Sequence, residues 1–92
     1  MTTLLVGKAN LFGADMNRVN LAGSNLSGAD MRGACLAYSD CRGVNFANAN
    51  LAMADFTCAD CRGANFVGAD LTGTNFMGAI LGRAEFTSVS LL

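Results

Sequence analysis

The 92-residue chain has no proline, no histidine and no tryptophan. Without histidine, and with no isolated serine or cysteine elbow, nucleophilic catalysis has no ordinary base to draw on. Long apolar runs are missing as well. Half of the residues are apolar (52%), yet the clearest apolar stretch is Leu4-Leu5-Val6, far below the roughly 18–20 residues of a spanning helix. No basic stretch followed by an apolar one opens the chain, so the reading is a cytoplasmic protein without a signal peptide and without membrane association. Charge of one sign is also lacking: six bases nearly balance seven acids, for a net charge of −1. That leaves no electrostatic footprint for nucleic acid or anionic lipid. No composition shift or linker divides the sequence, so residues 1–92 read as one domain.

What is present is a beat of five. Taking every fifth residue from Leu11 to Leu91 as a centre, all 17 are apolar. Two residues before each centre stands a small or β-branched residue, alanine in eleven cases. The residue directly before the centre is Asn or Asp in 13 of 17 pentads, and nine of the eleven glycines lie two residues after a centre. The register reaches back to about residue 4. A longer unit overlies the short one, since Asp40-Cys41-Arg42-Gly43-Val44-Asn45-Phe46 recurs as Asp60-Cys61-Arg62-Gly63-Ala64-Asn65-Phe66.

A single helix cannot use this pattern, because five residues advance it by about 500° and successive centres drift by about 140°. A flat strand fails too, since an odd period alternates the faces. A chain that turns a corner every five residues solves both problems. The centre and the small residue before it then point inward, Gly serves the corner, and Asn or Asp faces outward, where it can hydrogen-bond nearby backbone. The 20-residue repeat implies four pentads per coil, with residue n beneath residue n+20 at about 4.8 Å. Within a coil, Cys41 or Cys61 leaves room for two facing phenylalanines, which keeps the volume of each layer even.

The motif Ala-Asp/Asn-Leu/Phe-x-Gly, as in Ala29-Asp30-Met31-Arg32-Gly33, Ala64-Asn65-Phe66-Val67-Gly68 and Ala69-Asp70-Leu71-Thr72-Gly73, resembles the pentapeptide-repeat family over residues 4–92. The resemblance implies an all-β fold, a right-handed quadrilateral β-helix or β-solenoid; the repeat length gives about four and a half coils of four pentapeptides. Cys35, Ile80, Glu85 and Ser90 depart from the usual Asn or Asp. No stretch reads as a capping helix. With Leu4 and Leu5 at one end and Leu91 and Leu92 at the other, the expectation is end-to-end stacking into a homo-oligomer, or a piece of a larger protein.

The chemistry-bearing residues dissolve into the repeat. Cys58-Ala-Asp-Cys61 is a CxxC, but the register sends Cys61 inward and Cys58 outward, and does the same to Cys41 and Cys35. No metal site, cofactor or enzymatic activity is expected. Cys41 and Cys61 stack too far apart for the Cβ separation of a disulfide and read as small buried hydrophobes. All seven acids share one pentad position, which explains them without acid–base catalysis. The remaining candidate interaction surface is Tyr38, Arg42, Arg62, Met77 and Ile80, outward residues that the register places near one another.

These features point to a non-enzymatic module, structural or protein-binding, whose protein partner the sequence leaves open. The family also includes DNA-mimicking proteins that bind DNA gyrase and protect it from quinolones or inhibit it. Those are long, strongly acidic dimeric rods, whereas this chain is short, nearly neutral and carries the Arg42/Arg62 ladder, which argues against gyrase. A repeat domain of a larger or secreted effector is the third reading.

Overall fold

Each pentad folds the same way, and its own side chains explain how. In a computed structural model that describes residues 7–92, each of the 13 Asn or Asp residues that precede a centre accepts a hydrogen bond from the backbone N–H two residues on. This is the Asx turn that favours these residues at turns. The centre's carbonyl accepts from the N–H three residues later, as between Leu51 and Ala54 at 2.9 Å. The residue two beyond the centre always has positive φ, whether it is Gly43 (66°) or Tyr38 (60°). Positive φ at the third position of a hydrogen-bonded turn is the signature of type II.

Between turns, only one residue per pentad bridges to the next coil. Asn10 pairs with Asp30, Asp30 with Asn50 and Asn50 with Asp70, all parallel and all twenty residues apart. The ladder is reciprocal: Leu51 N–H donates to the Asp70 carbonyl at 2.8 Å, and Asp70 N–H donates to the Ala49 carbonyl at 2.9 Å. The expected n to n+20 register is therefore the observed one. Among the described residues the faces are ladders of single-residue bridges with no continuous strand, because a corner every five residues leaves one residue extended on both sides.

Four bridge columns define four faces. Face 1 carries Asn10, Asp30, Asn50, Asp70 and Ser90; face 2 carries Asp15, Cys35, Asp55 and Asn75. Face 3 carries Asn20, Asp40, Asp60 and Ile80, and face 4 carries Asn25, Asn45, Asn65 and Glu85.

The core fills the tube. The centres from Leu21 to Phe66 are at most 3% exposed, and the alanines before them are buried with them. Phe46, Phe66 and Phe86 stack in one column at 5.0 Å, and Phe56 and Phe76 stack in the facing column at 5.1 Å. Between columns the rings meet edge to face, Phe46 with Phe56 at 5.5 Å. Offset stacks and edge contacts are the arrangements that ring quadrupoles favour. Cys41 and Cys61, both wholly enclosed, make room for this packing. Among the described residues, one buried side-chain polar atom has no partner, the Ser24 hydroxyl. The equivalent Ser39 hydroxyl donates to the Leu36 carbonyl at 2.5 Å.

Candidate interaction face

The corners differ more than the faces do. Eight of the corner residues with positive φ are not glycine, and each places a β-carbon where it costs roughly 1–2 kcal/mol. They are unevenly spread. The corner after face 3 has Gly23, Gly43 and Gly63 before Arg83, whereas the corner after face 2 has Arg18, Tyr38 and Cys58 before Gly78. That second corner therefore projects three side chains in succession, and glycine returns where a β-carbon would meet the Cys58 sulfur at 2.9 Å. The Arg18 guanidinium lies over the Tyr38 ring, 4.6 Å from its centroid, a contact worth about 0.5–1 kcal/mol at an exposed site.

Face 3 lies between these two corners, and all five sequence-derived candidates border it. Tyr38 is 51% exposed, Met77 73% and Ile80 51%. Met77 neighbours Cys58 one coil away, its carbonyl accepting the Cys58 N–H at 2.8 Å. Ile80 continues the column below Asp60. Arg42 grips Asp40 through Nε at 2.9 Å and Nη2 at 2.6 Å, and Arg62 grips Asp60 in the same way. Arg42 also reaches Asp60 at 4.0 Å. The stacked carboxylates are thus interleaved with guanidinium groups, as a ladder of like charges requires. Hydrogen bonds from Arg42 and Arg62 hold the Asp40 and Asp60 carboxyls below the usual carboxylate range. Arg32 does the same for Asp30 on face 1, and the hydroxyls of Thr57 and Thr72 do it for Asp55 and Asp70.

The cysteines do not converge. All four are free thiols, Cys41 and Cys61 buried, Cys35 half-buried and Cys58 exposed. Donation from Cys61 draws Cys41 down and holds Cys61 up, while burial opposes ionisation of both. Among the described residues, no group of three or more Cys, Asp or Glu could hold a metal ion. No helix among them is long and apolar enough to cross a membrane.

Of the residues expected to stack end to end, Leu91 and Leu92 are exposed, at 70% and 99%. Leu4 and Leu5 lie outside the described residues. Sequence reasoning missed two contacts: Arg18 over Tyr38, and Arg32 over Phe12 at 4.9 Å. Both pairs are twenty apart, so the register contained the signal. The second pair, with Met53, lines an open apolar groove of about 440 Å³ on the corner after face 1.

Comparison with known proteins agrees with this geometry. The family model described as pentapeptide repeats matches in eight copies over residues 8–37, 24–57 and 54–91. No curated protein matches the chain. Among solved structures, the chain is similar to HetL of the cyanobacterium Nostoc sp. PCC 7120, a pentapeptide repeat protein involved in heterocyst differentiation regulation. The two share 31% identity over 87% of this chain, with a TM-score of 0.83, and the match spans 37% of HetL. It is also similar to alr5209, a pentapeptide repeat protein of Nostoc PCC 7120, at 31% identity and a TM-score of 0.79, covering 92% of this chain and 82% of that one. A pentapeptide repeat protein from the Arabidopsis thaliana thylakoid lumen shares the fold at 24% identity and a TM-score of 0.59, over 96% of this chain and 60% of that one. By its matched repeats, and in agreement with its bridges and corners, the chain belongs to the pentapeptide-repeat family of β-helical proteins.

Proposed function

We propose that this protein is a rigid, non-enzymatic module of protein–protein interaction, and that face 3 with its two corners is its docking surface. One observation carries the reading: Tyr38, Met77 and Ile80, all more than half exposed, lie on face 3 or its first corner, opposite the corner that carries Arg42 and Arg62. An exposed aromatic or methionine with an arginine beside it is the composition that interfaces favour. The remainder of the molecule suits a scaffold. At twenty residues per coil it makes about four and a half coils, right-handed as in its family, each filled by its own side chains. HetL, the similar protein involved in regulation, lends support for action by contact, although this chain spans only 37% of it.

A second contact is part of the proposal. Stacking of the last described coil on another β-coil would cover Leu91 and the half-buried Phe76, Leu81 and Phe86. Concentration-dependent mass in light scattering tests that mode, and a constant monomer mass at high concentration removes it. The free thiols are in keeping with a reducing, cytoplasmic setting.

The docking reading is tested by capture from the native host's lysate. The double variant Tyr38→Ser/Met77→Ser should lose the partner that the parent protein retains. The control Phe12→Ser/Met53→Ser, on the corner after face 1, should keep it. Equal capture by the parent and the face 3 variant overturns the proposal.

A further inference from the structure

Charge is distributed unevenly around the tube. Four of the six basic residues, Arg18, Arg42, Arg62 and Arg83, lie on face 3 or its two corners, where the only acids are Asp40 and Asp60. The other three faces and two corners hold Lys8 and Arg32 against five acids. Face 3 is thus formally +2 in a chain of −1. We infer that face 3 selects an acidic protein segment that carries an apolar anchor. The inference rests on the docking role proposed above and adds the chemistry of the partner.

Among the described residues, Arg18 and Arg83 are in no ion pair. They stand at diagonal corners of the face, one in the first coil of its column and the other in the fourth, about 14 Å apart along the axis at the usual spacing. Tyr38 lies beside Arg18, and Met77 and Ile80 lie in the same coil as Arg83. An extended segment laid along this diagonal meets a cation with apolar surface beside it at each end, Arg18 with Tyr38 and Arg83 with Ile80, and crosses the neutralised Asp40–Arg42 and Asp60–Arg62 pairs in the middle. Complementary charge of this kind sets encounter rate and specificity, and the apolar anchor supplies burial.

Two other occupants fit less well. A nucleic-acid backbone carries a charge at every step and would set phosphates against the carboxylates of Asp40 and Asp60, which already occupy the Nε–Nη2 forks of Arg42 and Arg62, the groups that would grip a phosphate, whereas a peptide can keep its acids at the two ends. A second copy of this chain offers at most two acids on any one of its other faces.

The test pans the whole protein against displayed random peptides of about twelve residues, long enough when extended to span its 32 Å longest dimension. Enriched peptides should be net acidic and contain an aromatic or large aliphatic residue. Their binding should weaken by about tenfold in Arg18→Gln/Arg83→Gln at low salt, weaken in the parent protein as salt rises, and change by no more than about twofold in Lys8→Gln/Arg32→Gln. Neutral or basic enriched peptides, no enrichment, or no effect of Arg18→Gln/Arg83→Gln overturns the inference. So does tighter binding of a labelled single-stranded oligonucleotide at the same arginines, or a self-dimer that this variant abolishes. If Tyr38→Ser/Met77→Ser loses the lysate partner while the enriched peptides are not acidic, the docking face stands and the acidic partner falls. If lysate capture is untouched as well, both fall.

Discussion

Replacing Phe66 by alanine should be among the most damaging single changes in the molecule. Its ring is wholly buried and contacts four others: Phe46 and Phe86 at 5.0 Å above and below, Phe76 at 5.6 Å and Phe56 at 5.8 Å across the tube. Truncating a buried phenylalanine costs about 3–5 kcal/mol. Backbone ladders on both sides of its coil hinder collapse of the cavity, so the upper half of that range, about 4–5 kcal/mol, is expected. A domain of this size has roughly 5–14 kcal/mol in all, so the variant loses about 30% of its stability or more. Phe86 is half-buried and, among the described residues, its ring pairs only with Phe66 and Phe76, so Phe86→Ala should cost about 2 kcal/mol. Guanidinium unfolding followed by far-UV circular dichroism reads both as midpoint shifts at constant m. A loss below about 2 kcal/mol for Phe66→Ala, or one no greater than for Phe86→Ala, would refute the packing described here.

Other substitutions and conditions test separate parts. Gly43→Ala meets nothing within 4 Å at φ +66°, so it should cost only the left-handed penalty, about 1–2 kcal/mol. Gly68→Ala should cost about the same, because the exposed Asn48 side chain, whose oxygen the new β-carbon meets, can turn away; a much larger loss in denaturant would contradict this. Ser88→Gly relieves the same strain at φ 62° and should stabilise by about 0.5–1 kcal/mol after the added backbone entropy is deducted. The carboxyls of Asp30, Asp40, Asp55, Asp60 and Asp70 are all lowered in the fold. Their contribution is therefore complete above the ordinary value of about 4 and is lost as pH falls through the lower folded values. Thermal midpoints should be flat from neutrality to about pH 5 and fall below about pH 4; a decline already present between pH 7 and 5 would count against these pairs.

The fold was legible in the sequence because a five-residue period permits few chain geometries, and the copy at Cys41 and Cys61 set the coil at twenty residues. The same arithmetic assigned every buried centre and the outward Asn and Asp. It did not foresee the uneven corners. A rule that reads Gly as the corner residue treats Tyr38 or Met53 as an exception, whereas the turn takes any residue that tolerates about 60° of φ. Nor did the sequence display the charge separation, because all seven acids occupy equivalent pentad positions and look interchangeable until the faces are told apart. Arg18 and Arg83 were overlooked for that reason, since neither repeats at n+20. Ala37 shows the reverse error: its position is outward, yet it is only 8% exposed.

The most direct test of the central claim, that this tube works through face 3, is amide chemical-shift mapping of the whole protein titrated with the tightest peptide from the display experiment. The shifts should gather at residues 18–23, 38–43, 58–63 and 77–83, the four successive passes of the chain across face 3 and its corners. Shifts gathered instead around Phe12, Arg32 and Met53, or at Leu91 and Leu92, would contradict it.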